Sequence, residues 1–125
     1  MSKKIFIFGG TGAIGFSIAK KIIEEGYTPI LISRNEEELV NKSKEINCEY
    51  EVCDVLEQDQ IDQISKKHTG TVNGLAYCVG SINLKPLKIT KDTDFIESFK
   101  INTLGAINVI NVTSLKIQWC PYLDF

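Results

Sequence analysis

The 125-residue sequence has no CxxC pair, and its single histidine, His68, has no metal-ligand spacing to Cys48, Cys53, Cys78 or Cys120. That excludes a zinc ribbon or finger, and no metal site is expected. Basic residues (14) do not outnumber acidic ones (16), so a net charge of −2 leaves no footprint for nucleic acid or for a membrane surface. No stretch approaches the roughly 20 apolar residues of a membrane span. There is no repeat of solenoid length, no low-complexity segment and no GxxxxGK[ST], so a P-loop is excluded as well. "MSKK" followed by apolar residues to Ala19 imitates a signal peptide, but Gly9, Gly10, Gly12 and Gly15 interrupt the run. "KKIIEEG" then continues the phase of Ile14 and Ile18 as one amphipathic helix.

What remains is one domain, residues 1–125, with an ordinary globular balance of 43% hydrophobic and 24% charged residues. Three of the cysteines fall in or beside apolar runs, where a free thiol behaves as a small hydrophobe; reduced thiols in a cytoplasmic protein are expected.

"KIFIF" (4–8), "TPILIS" (28–33), "EYEVCDV" (49–55) and "VNGLAYCVG" (72–80) read as strands. Helical patterns separate them. The first carries Ile14, Ile18, Ala19, Ile22 and Ile23 and ends at Gly26, where a positive φ is wanted. The second starts from Asn35, spaced from Glu38 as in a capping box. A third, with the same spacing between Asp54 and Glu57, runs to Thr69-Gly70. A fourth helical region extends from near Thr90 to about Lys116, with room for a break. Strict alternation with continuous apolar strands predicts an α/β protein: a partial doubly wound Rossmann fold of four parallel strands, order 3-2-1-4, with helices on both faces.

The first turn, "FGGTGAIG", carries Gly9, Gly12 and Gly15 three apart. Gly9 and Gly12 stand where the backbone turns from strand to helix and can approach a ligand closely. The N–H groups that open the helix suit a pyrophosphate, with Ile14 in the same turn; Gly15 lets the helix pack closely against the sheet. A tight turn with no ligand is the plainer reading, and the position after the first strand of an alternating pattern argues against it. Where an NAD-preferring fold places a carboxylate after the second strand, this chain has Ser33 and Arg34. A guanidinium and a hydroxyl suit the 2′-phosphate of NADP, so NADP is the expected cofactor, with NAD as the alternative.

Taken together, the glycine turn, "ISRN", "CDV" and the fourth strand resemble the short-chain dehydrogenase/reductase family over residues 4 to about 114. The resemblance implies that Asp54 and Val55 meet the adenine, although Asp54 is also a competent helix cap. The family's Asn-Asn-Ala-Gly element is matched by Tyr77-Cys78-Val79-Gly80, in which only the glycine is retained, so Gly80 implies main-chain support of the cofactor. The glycine spacing is that of extended and divergent members, since Ala13 stands where the commonest members have glycine. Asn102, in "FKINTLGAINVI", matches the helix asparagine of the family's catalytic tetrad, and its apolar neighbours imply a buried amide in need of partners. The simpler account is an asparagine bonded to local backbone.

The family's proton donor is a tyrosine in Tyr-x-x-x-Lys, and no such motif occurs here. The terminal "LKIQWCPYLDF" leads into no further strand, so a truncated or frameshifted chain is expected, inactive alone. The reading is therefore the cofactor-binding part of an NAD(P)-dependent oxidoreductase whose full-length relatives take a carbonyl or alcohol substrate. The alternative is a non-catalytic NADP(H)-binding or sensor module. The helix over 96–114, with Phe99, Thr103, Ile107 and Ile110 on one face and Leu104 and Ala106 on others, is a candidate homo-oligomer contact.

Overall fold

The computed structural model describes residues 3–68, 72–81 and 84–114. The helix end expected at Thr69-Gly70, Cys120 and the apolar stretch 115–125 lie outside them.

Alternation of apolar side chains along the strands sets the layers. In β1 (Lys4–Phe8), Phe6 and Phe8 face one way and Ile7 the other. In β2 (Thr28–Ser33), Ile30 and Ile32 join the phenylalanines while Leu31 joins Ile7. Both faces are covered, which is why the strands read as unbroken apolar runs. Helices α1 (Ala13–Glu24) and α2 (Glu36–Ile46) cover the Ile7–Leu31 face through Phe16, Ala19 and Leu39. Helices α3 (Gln58–Lys67) and α5 (Gly105–Ser114) cover the other through Ile61, Ile64 and Val109. With β3 (Glu49–Val52) and β4 (Val72–Tyr77), the sheet is parallel in the expected order, β3-β2-β1-β4.

Local signals explain most of the boundaries. The Asn35 side chain accepts from Glu38 N–H at 3.2 Å and opens α2, and Asn47 closes it in the left-handed region at φ 54°. Gly26 follows α1 at φ +89°.

Three local expectations are corrected. Strands β3 and β4 stop at Val52 and Tyr77 rather than at 55 and 80, because the chain leaves the sheet there to form loops. Asp54 does not cap α3: its carboxylate accepts from Leu56 N–H at 3.0 Å in a local turn, while its own N–H donates to Gln60 Oε1 at 2.8 Å. Glu57 holds the cap position without a side-chain bond. The break in the last helical region is a widening rather than an interruption. Helix α4 (Asp92–Phe99) passes into a π-helical turn, Lys100–Leu104, where Gly105 N–H donates to Lys100 O, and continues as α5. The extra residue shifts the helical phase, so Gly105, Val109 and Thr113 turn inward while Phe99, Ile107 and Ile110 stay exposed.

Candidate functional site

A cleft of about 260 Å³ opens where the loops leave the carboxyl ends of all four strands. In open α/β sheets this is where ligands sit, beside the point at which strand order reverses, here between β1 and β4.

The glycine turn forms one wall. Gly9 is at φ +78°, and its N–H donates to Ile32 O at 2.8 Å, tying the turn to the end of β2. A Cβ on Gly9 would stand 2.6 Å from the Cys78 carbonyl carbon and oxygen and 2.9 Å from Val79 N, so the loop after β4 lies directly on this residue. Gly12 occupies the N-cap of α1 and brings no side chain to its first-turn N–H groups, which leaves them for an anion. Gly15 is buried, and a Cβ there would collide with the Gly9 carbonyl. Its role is to let α1 pack on its own entry turn, closer to home than the sheet contact expected.

The second wall is the end of β2 and the loop after β3. Ser33 Oγ is 3.4 Å from Thr11 Oγ1 and from Asn35 N, and Arg34 lines the cleft beside it. Asp54 and Val55 follow, with Val55 buried against the α3 side of the core. The floor is the loop Cys78–Ser81 with Ile101.

Burial pushes the Cys53 thiol up to about 11, with Asp54 adding to the effect, and burial also raises Cys78. Neither is a thiolate near neutral pH, so the cleft's sulfurs are apolar lining rather than nucleophiles. Among the described lining residues the ionised groups are one guanidinium, Arg34, and one carboxylate, Asp54; no lysine, tyrosine or histidine is among them.

The structure thus gathers Gly9, Gly12, Ser33, Arg34, Asp54, Val55 and Gly80 in one cleft. Ile14 stands 71% exposed on the first turn of α1 and does not line it. Asn102 lies next door and is exposed, not buried as its apolar neighbours implied. Its partners are the backbone of Ser81, which donates to Oδ1 at 2.9 Å and accepts from Nδ2 at 3.0 Å, and Ser98 Oγ at 3.0 Å. Sequence reasoning missed Thr11, Ser81 and Ile101. Thr11 sits inside the glycine turn and was legible there; Ser81 and Ile101 take part only because a helix 20 residues along folds back over the loop.

A parallel sheet wound on both faces, with its cleft at the carboxyl ends, defines a Rossmann-type α/β protein. The family model described as short chain dehydrogenase matches residues 3–116, and the chain belongs to that family. It is 32% identical over 113 residues to a 3-oxoacyl-[acyl-carrier-protein] reductase of Mus musculus, covering 86% of this chain and 48% of that protein. It is 29% identical over 116 residues to carbonyl reductase family member 4 of Xenopus laevis, covering 90% and 49%. The chain thus spans about half the length of these relatives. In fold it is similar to a short-chain dehydrogenase from Streptomyces avermitilis (TM-score 0.84, 19% identity, 93% of this chain and 44% of that one). A crystal structure of actinorhodin polyketide ketoreductase with NADPH gives the same TM-score at 22% identity, covering 90% and 46%.

Proposed function

We propose that the chain binds a nicotinamide dinucleotide in this cleft, NADP(H) in preference to NAD(H), as the cofactor-binding portion of a cytoplasmic short-chain oxidoreductase. The observation that carries the reading is the junction of a glycine-rich turn with Arg34 at the end of β2, on one cleft at the switch point of the sheet. Gly9 and Gly12 leave backbone exposed for a pyrophosphate, with Ile14 and Gly15 completing that turn. Arg34 and Ser33 take the 2′-phosphate, Asp54 and Val55 the adenine side, and Gly80 the main-chain floor. When bound, the nicotinamide supplies or accepts a hydride. The residues of this chain bind and orient it. Asn102, the one residue matching a catalytic position, acts here by holding the Ser81 backbone.

A carbonyl or alcohol substrate is proposed from the names of the relatives, which are carbonyl and 3-oxoacyl reductases. A second reading is a non-catalytic NADP(H)-binding module. It is favoured by a cleft lining that has no tyrosine, lysine or histidine among the described residues.

Fluorescence titration with NADPH and NADH tests the assignment. Wild type should bind NADPH more tightly, and Arg34→Glu should weaken NADPH about tenfold or more, the scale of losing a hydrogen bond to a charged group, while sparing NADH. Equal binding of both nucleotides by wild type would refute the preference. Absence of binding to either would refute the dinucleotide site.

A further inference from the structure

We propose that Tyr77 is a positioning residue for the cleft: its hydroxyl sets the π-helical turn that holds Asn102 on Ser81, and through it the loop 78–81. The effect on nucleotide affinity rests on the dinucleotide reading above; the positioning itself does not.

Tyr77 ends β4, and its ring is fixed by the core, tilted against Phe8 at a centroid distance of 6.4 Å. From that anchored ring the hydroxyl donates to Ile101 O at 2.7 Å. Burial raises the Tyr77 pKa, which keeps the hydroxyl a donor. A widened turn interrupts the regular ladder of a helix, and a side-chain donor entering at that point fixes where the widening lies. Gly105 is the counterpart. Glycine inside a helix costs about 1 kcal/mol relative to alanine, so its presence calls for a reason. A Cβ at Gly105 would collide with the Tyr77 hydroxyl. Tyrosine on the strand and glycine on the helix are therefore one device.

The device delivers Asn102, the residue after Ile101. Exposed to solvent, its amide would have free choice of rotamer, yet it pairs with both backbone groups of Ser81. Its Oδ1 lies 3.0 Å from where a Cβ on Gly80 would stand, a closeness that glycine permits. Gly80, Ser81 and Ile101 all line the cleft. The bonds thus run from Tyr77 to Ile101, and from Asn102 to Ser81, with the helix turn joining them.

The test is amide hydrogen exchange at Ser81, measured on the whole chain by NMR, because that N–H reports the Asn102 bond directly. Tyr77→Phe keeps the ring and removes the donor. Ser81 exchange should quicken about threefold to tenfold, the scale of one net hydrogen bond, with the amides of β1 unchanged. Asn102→Ala should quicken it at least as much, and the double variant should match Asn102→Ala alone, since Tyr77 acts through Asn102. Gly105→Ala should quicken Ser81 exchange in wild type but add little to Tyr77→Phe, where the colliding oxygen is gone. NADPH affinity should fall several-fold in Tyr77→Phe at temperatures well below its melting point. Unchanged Ser81 exchange in Tyr77→Phe, or effects that simply add in the double variant, would overturn the proposal. If wild type binds no NADPH, the dinucleotide reading fails while Ser81 exchange still decides the role of Tyr77.

Discussion

Two glycines allow the seating of the loop after β4 on the glycine turn to be measured. Gly9 and Gly26 both have positive φ, +78° and +89°, so alanine at either pays a similar backbone penalty of about 1–2 kcal/mol. Their surroundings differ. Around Gly26 nothing lies within 4 Å of the added Cβ, whereas at Gly9 it meets main-chain atoms of Cys78 and Val79 at 2.6–2.9 Å. Main chain cannot swing aside as a flexible side chain would, so Gly9→Ala carries a further overpacking cost of about 1–3 kcal/mol. Gains from stiffening the unfolded chain apply to both variants and cancel in the comparison. Gly15→Ala is a separate steric case, because its added Cβ meets the glycine turn rather than the loop after β4. Its backbone is helical, so alanine gains about 1 kcal/mol of propensity, set against the collision with the Gly9 carbonyl. Urea unfolding followed by circular dichroism should place the midpoints in the order wild type, Gly26→Ala, Gly9→Ala, with the last about 1–2 M below wild type. Should Gly9→Ala cost no more than Gly26→Ala, the loop would not be seated on the turn, and the cleft would lack its floor.

Arg34→Glu, as set out above, should exchange NADPH preference for NADH. Glu51 accepts from Lys67 Nζ at 2.6 Å and lies 3.0 Å from His68 Nε2. Burial pushes its carboxyl up, but those hydrogen bonds outweigh burial and hold it below the ordinary 4.5. A carboxylate lowered in the folded state stabilises above its unfolded pKa and loses that contribution as pH falls through the folded value, so Tm should drop below about pH 4.5, and drop less in Glu51→Gln. Leu39→Ala, at a fully buried side chain between α2 and the sheet, should cost about 2–5 kcal/mol in urea unfolding. If the exposed Phe99, Ile107 and Ile110 form a contact between copies, sedimentation should show a concentration-dependent dimer that Ile107→Glu abolishes; a monomer at all concentrations would remove the homo-oligomer proposal.

Legibility in the sequence followed the range of the interactions. Strands β1 and β2 were readable to the residue because both of their faces are buried, so every position from Phe6 to Phe8 and from Pro29 to Ile32 is apolar or small. The ends of β3 and β4 were not. Cys53, Val55 and Val79 continue the apolar pattern and pack on the same core cluster although they lie past the strand ends, so apolar character alone does not mark where the strands stop. Asp54 offered a cap in the right spacing; Gln60 took its N–H instead, and two local solutions of similar energy cannot be ranked from spacing alone. Asn102 stands out as a polar residue among apolar neighbours, but those neighbours imply burial, whereas the helix passes through a π-helical turn there and Asn102 is exposed.

The turn's cause lies in Tyr77, 24 positions away, and that is why only the structure could supply it. The same separation bears on how the cleft is held. The loop 78–81 carries no regular secondary structure among the described residues, and isolated it would be free to sample many conformations. From below, Cys78 N–H donates to Phe8 O at 2.7 Å and the backbone rests on Gly9. From above, Asn102 grips both backbone groups of Ser81. The loop is therefore fixed by contacts from two elements, β1 with its turn and the widened helix. A ligand entering between the glycine turn and Arg34 meets a floor already ordered on both sides, and the entropy of ordering it has been spent in folding rather than in binding. Tyr77 and Gly9 thus matter to affinity for the same reason although they lie on different strands: each removes one of the ways in which the floor can move.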